Sequence, residues 1–183
     1  MEIFIALAIL VLVGIFAISQ FNQLVRLNNT VSEAFAQIEV QLRRRADLIP
    51  NLVETVKGYA SHEKEALEKV MLARSASTAA QGVHDVSEAD GMLTQALRGL
   101  LAVSEAYPDL KASANFIQLQ EELAATENKV AFARQYYNDT VNKLNTVVEG
   151  IPGRFFTGLA KVSKREFYQV EDPEARNVPK VQF

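Results

Sequence analysis

The chain has 183 residues, with 19 Lys+Arg against 22 Asp+Glu, a net charge of -3, 49% hydrophobic residues, two His, and neither Cys nor Trp. That length is about one domain, and the mild acidity argues against an electrostatic nucleic-acid binder. The missing cysteines exclude disulfide frameworks, thiolate zinc sites and cysteine nucleophiles, and the apolar fraction is too high for global disorder.

Residues Ile3 to Ile18 read IFIALAILVLVGIFAI, and the charge-free stretch continues to Val25, bounded by Glu2 and Arg26. As a helix this stretch rises about 34 Å, enough for a hydrocarbon core of ~30 Å. A cleaved signal peptide is the competing reading. It asks for a basic leader and a small-x-small cleavage site, where this chain has Glu2 and Ser19-Gln20-Phe21. A retained transmembrane anchor over residues 1–25 is therefore expected. Arg26 follows the run, Arg43, Arg44 and Arg45 lie further out, and no Lys or Arg precedes it, so the bulk of the chain is expected in the cytoplasm.

From residue 26 to 150 apolar residues recur at spacings of three and four, which predicts an all-α body of helices packed at shallow angles. The first stripe is Phe21, Leu24, Asn28, Val31, Phe35, Ile38 and Leu42. Arg43, Arg44 and Arg45 follow it; consecutive residues fan over about 200° and form no single face, so solvation or a partner surface is their reading. Pro50 sits at the junction with the next stripe. The heptad phase passes through it without a slip, which suggests one kinked helix from 20 to 80. Length matching argues the other way. An unbroken helix over 30–80 rises ~75 Å against ~31 Å for the third helix, whereas a break at Asp47-Leu48-Ile49-Pro50 gives ~40, ~42, ~31 and ~55 Å, an up-down-up-down four-helix bundle. Asp47 is then an N-cap and Pro50 sits in a first turn. The break is the expectation.

The second stripe is Leu52, Val56, Ala60, Glu63, Leu67 and Val70, closed by Gly82 at a C′ position. The third opens on a capping box, Asp85-Val86-Ser87-Glu88, runs through Leu93 and Leu100 to Tyr107, and stops at Pro108. The fourth runs from Phe116 to Val148 and is stopped by Gly150 and Pro152. Residues 151–170 mix Phe155, Phe156, Leu159 and Val162 with Arg154, Lys161, Lys164 and Arg165. This basic amphipathic segment fits either an interfacial helix on the membrane or a cap over the open end of the core. Residues 171–183 hold two prolines and read as an extended tail.

No nucleophile elbow, P-loop or dinucleotide fingerprint is present. A di-iron bundle needs Glu-x-x-His pairs, but Tyr59 stands three before His62 and Gln81 three before His84. His62, Glu63 and Glu65 make one weak metal candidate, with a solvated helix face as the alternative. Asn28, Glu63 and Thr126 fall on the apolar stripes, where polar residues fix register; a buried, pKa-shifted Glu63 is the functional alternative. The end Val181-Gln182-Phe183 offers an apolar residue with a carboxylate, the form taken by domains that add peptide strands to a sheet edge; a plain extended end is the alternative.

The strings EAFAQIEVQLRRRADLIPNLVETVKGYASHE (33–63), YPDLKASANFIQLQEELAATENKVAFARQYYND (107–139) and PKVQF (179–183) closely resemble those of the LemA family. The resemblance implies a single-pass protein of the bacterial inner membrane with a helical-bundle body, near other membrane proteins such as a membrane protease, or in membrane-organising systems. It implies no catalytic residue, metal or cofactor. The expected function is a membrane-anchored, non-catalytic scaffold or adaptor, with an oligomerising membrane-organising protein and a metal-dependent module at His62 as alternatives. The expected partners are the lipid bilayer, other membrane proteins and further copies of the chain, not nucleic acid. Candidate partner-binding residues are Asp47, Pro50, Asn51, Tyr59, His62 and Glu63, then Tyr107, Pro108 and Asp109 at the opposite turn, Asn138 and Asp139 on the fourth helix, and Phe183.

Overall fold

The computed structural model describes residues 1–169, and among these every regular element is helical. The elements are α1 (Glu2–Tyr59), α2 (Lys64–Ala79), α3 (Gly82–Val103), a 3-10 turn (Ser104–Ala106), α4 (Pro108–Lys111), α5 (Ala114–Glu149), a second 3-10 turn (Gly153–Phe155) and α6 (Thr157–Ala160).

The expected break at residues 47–50 is absent: α1 runs through Pro50 without interruption, and Asp47 is an exposed mid-helix residue, not an N-cap. Proline inside a helix removes one hydrogen bond, leaving the carbonyl four residues earlier without its donor. Here that carbonyl belongs to Ala46, which is 1% exposed and so closed to water. Arg74 of α2 donates its Nε–H to this oxygen at 2.8 Å. A side chain from the neighbouring helix thus replaces the missing backbone donor, and the helix continues.

The chain breaks later, at Ala60-Ser61-His62-Glu63, so the stripe read as one second helix is shared between α1 and α2. Gly58, about 1 kcal/mol poorer than alanine in a helix, weakens the last turn of α1. The length comparison misplaced the break because it weighed only a split at Pro50 against an unbroken helix to residue 80, whereas α1 ends at Tyr59.

Gly82 takes φ +80, a left-handed conformation that glycine enters without a Cβ clash, and opens α3 three residues ahead of the expected capping box. Asp85 lies instead in the first turn of α3, where an acidic side chain suits the helix dipole. Pro108 is the first residue of α4, and α5 closely matches the fourth expected helix.

The chain forms two compact units. The first comprises residues 1–37 and 133–167. Leu24, Val31 and Ala34 of α1 are buried, as are Tyr137, Val141 and Leu144 of α5, and the Phe35 and Tyr137 rings meet at 5.8 Å between centroids. Of the two readings of residues 151–170, the interfacial helix is not formed as one continuous helix among the described residues 151–169. Gly153 turns back so closely on the Val147 carbonyl that no Cβ fits there, and two short helical turns give way to a stretch without regular structure from Val162. The extended tail expected at 171–183 lies outside the described residues.

The second unit comprises residues 38–132 and, of the described residues beyond, 168 and 169. Its core joins Ile49, Leu52 and Val56 of α1, Leu67 and Val70 of α2, Leu93, Leu97 and Leu100 of α3, Leu110 of α4, and Phe116 and Leu123 of α5.

Candidate functional site

Arg45, read above as solvated or partner-facing, is the largest buried side chain, 1% exposed inside the second unit. Its Nη1 donates to Asp90 Oδ1 at 3.1 Å and to Glu127 Oε2 at 2.5 Å, and its Nη2 donates to Thr94 Oγ1 at 2.7 Å. The Tyr168 hydroxyl donates to the second Asp90 oxygen at 2.9 Å. One guanidinium therefore ties α1 to α3 and α5, and the same aspartate seats Tyr168. Guanidinium suits this task because its fork of fixed donors serves several acceptors at once. Asp90 is sealed from water, while the Glu127 side chain is 41% exposed, so the excess negative charge faces solvent. Both Arg45 terminal nitrogens and both Asp90 oxygens are engaged within the protein. The arrangement holds helices in register.

A signal for this cluster was present in the sequence. Leu24, Val31, Ile38, Arg45 and Leu52 are spaced by sevens, so Arg45 occupies a core position of α1, and Asp90 stands between Val86 and Leu93 on the α3 stripe. A buried cation on one stripe and a buried anion on another require each other.

The polar stripe residues all find partners. Asn28 Oδ1 accepts from Arg165, whose backbone N–H and carbonyl in turn bond the Asn145 amide. Thr126 donates to the Glu122 carbonyl within α5. Glu63, just before α2, accepts a hydrogen bond from the Tyr107 hydroxyl at 3.1 Å. That carboxylate holds the Tyr107 hydroxyl above its ordinary pKa of 10.0, chiefly because the hydrogen bond needs the proton in place.

The Glu63–Tyr107 hydrogen bond joins the two groups of candidates. Around it, Tyr59 ends α1 half exposed, His62 is exposed in the loop, and Pro108 and Asp109 are exposed at the start of α4. Asp47, Pro50 and Asn51 lie two or more turns back along α1, with Asp47 and Asn51 exposed and Pro50 half-buried, its place explained by Arg74. Asn138 is half-buried and Asp139 exposed on α5, in the first unit. Phe183 lies outside the described residues. His62 and Glu63 sit in a loop, not on a helix face, and among the described residues no three His, Asp or Glu converge as a metal site. The Glu65 carboxyl is held below its usual 4.5 by its hydrogen bond to Lys69.

The class these features define is an all-helical chain whose first helix is long and apolar enough to cross a membrane. Residues 34–183 match the LemA family model, and the chain belongs to that family. It is similar to Protein LemA of Metamycoplasma hominis, with 25% identity over 189 residues, covering 98% of this chain and 82% of the relative.

Proposed function

We propose that the protein is a membrane-anchored, non-catalytic scaffold of the LemA family that presents its helical body to partner proteins on the cytoplasmic side. The observation that supports this is the exposure of the apolar run. Every residue from 1 to 16 is exposed, among them Ile3 at 83%, Phe4 at 77% and Leu10 at 69%. Soluble monomers rarely leave a contiguous apolar surface of that extent uncovered, and a hydrocarbon layer is the environment that matches a charge-free helix. Arg26, on the body side of the run, supports the cytoplasmic orientation. The partner surface is the tip around the Glu63–Tyr107 bond, where Tyr59, His62, Pro108 and Asp109 are exposed on loops and helix ends that a packed core supports.

The test uses the full chain in its native membrane, with photo-crosslinking side chains at His62 and Asp109 and, as a control, at Leu72, which is exposed on α2. Discrete adducts from His62 and Asp109 but not Leu72, in a fraction that resists carbonate extraction, support the reading. Adducts with further copies of this chain alone shift it to an oligomeric scaffold. Extraction as a soluble protein overturns the anchor. Stoichiometric metal, lost on His62→Ala, overturns the scaffold.

A further inference from the structure

We infer that the turn over residues 151–160 is a second membrane contact, with Ile151, Phe155 and Leu159 entering the headgroup layer of an anionic bilayer beside the exit of α1. The inference rests on the anchored reading above and adds a surface to it.

The first unit supplies the geometry. Phe35 faces Tyr137, and seven residues earlier along α1 Asn28 shares Arg165 with Asn145, eight residues later along α5. The two helices are therefore antiparallel here and their heights can be compared. From Asn145 to Gly150 α5 advances about 7.5 Å, and from Asn28 back to Ile18 α1 retreats about 15 Å. The end of α5 thus stands within ~8 Å in height of the apolar run, and the turn begins there. Burial along α1 agrees. Leu24 is fully covered, Phe21, Gln20 and Ala17 are partly covered, and every residue before Ala17 is exposed.

At this level the turn exposes Ile151 by 81%, Phe155 by 76% and Leu159 by 73%. Gly153 folds the chain onto the last turns of α5, so these side chains are carried by a fixed backbone. The charge pattern selects the occupant. Residues 150–165 contain Arg154, Lys161, Lys164 and Arg165 and no acidic residue. Lys164 is paired with Glu149, while Arg165 bonds the neutral Asn28 and Asn145 amides and keeps its charge, so Arg154, Lys161 and Arg165 are exposed cations on this segment. Apolar side chains flanked by cations, continuous with an uncovered apolar helix, match the boundary between acyl chains and anionic headgroups.

Because the chain has no Trp, a single introduced one reports its own environment. The full-length protein is reconstituted in bilayers of phosphatidylcholine, with or without phosphatidylglycerol, using brominated acyl chains as quenchers. Phe155→Trp is expected to lose about half its emission or more, with a blue shift, and to lose more when phosphatidylglycerol is present. Tyr136→Trp, about 21 Å further up α5, is expected to stay unquenched. R154E with K161E is expected to abolish the extra quenching. Phe16→Trp, inside the apolar run, separates the two readings. Quenching at position 16 with water-like emission at 155 overturns the second contact and leaves the anchor standing. Absence of quenching at position 16 overturns the anchor. Equal quenching at 155 in both lipid mixtures overturns the choice of an anionic surface.

Discussion

The two units solve the same problem, fixing helices side by side, with different chemistry. The second places a guanidinium and a carboxylate in the dry core, where each is indispensable to the other. The first holds no buried charge among its described residues, filling its core with apolar side chains, Tyr137 and Thr140, whose hydroxyl bonds its own helix, and sets its register from outside through the exposed Asn28–Arg165–Asn145 clasp. Buried charges punish any slip of a helix, because an unpaired ion in a low-dielectric interior is costly. An exposed clasp can be replaced by water at little loss. The second unit is therefore the more specific of the two, and the first the more adjustable.

The largest effect that sharpens this contrast comes from Arg45. Arg45→Met leaves Asp90 buried without its cation and is expected to cost about 3–5 kcal/mol in denaturant unfolding of the detergent-solubilised protein, with Arg45→Met plus Asp90→Leu recovering part of the loss. A cost no larger than that of Arg165→Met would erase the distinction between the units.

Next is the proline support. Arg74→Met strands the Ala46 carbonyl and is expected to cost about 1–3 kcal/mol. In a Pro50→Ala background the backbone supplies its own donor, so the same change costs markedly less; the cycle of four proteins measures the difference. Equal costs in both backgrounds would separate Arg74 from the proline.

Smaller is the response of the first unit to alkali. Burial pushes the Tyr137 hydroxyl above its ordinary 10.0, and it donates to the Glu166 carbonyl at 2.9 Å. Folding thus favours the protonated form, so its contribution is complete below pH 10 and fades as pH rises through the shifted value. Tyr137→Phe is expected to cost about 1 kcal/mol at neutral pH and to flatten the alkaline loss, followed by hydrogen exchange of α5 amides. The smallest effect is at the surface of α2. Lys69→Met is expected to let the Glu65 carboxyl return upward toward 4.5, read by NMR titration, with no resolvable change in melting temperature.

Much of this was legible in the chain. The apolar run, the 3.5 periodicity and the boundaries of the long C-terminal helix came directly from side-chain spacing. At Pro50 two sequence signals disagreed, and the unslipped heptad phase outweighed the length match, because the donor that rescues the helix comes from Arg74, 24 residues away in sequence. Residue type alone points Arg45 to solvent, whereas its place in the series Leu24, Val31, Ile38, Arg45, Leu52 marks it as interior. The Glu63–Tyr107 contact joins two residues singled out separately, and only folding brings them together. Amphipathic composition leaves two readings open after Gly150, because it does not reveal how tightly Gly153 packs on Val147.

The exchange between Pro50 and Arg74 also makes the order of genetic change matter. A descendant that first swaps the ring for an ordinary residue regains a main-chain bond and releases the arginine to drift. A descendant that loses the arginine first carries a stranded oxygen until position 50 changes too. Two sites far apart in the gene are thereby bound to a preferred historical sequence of steps, set by one missing N–H.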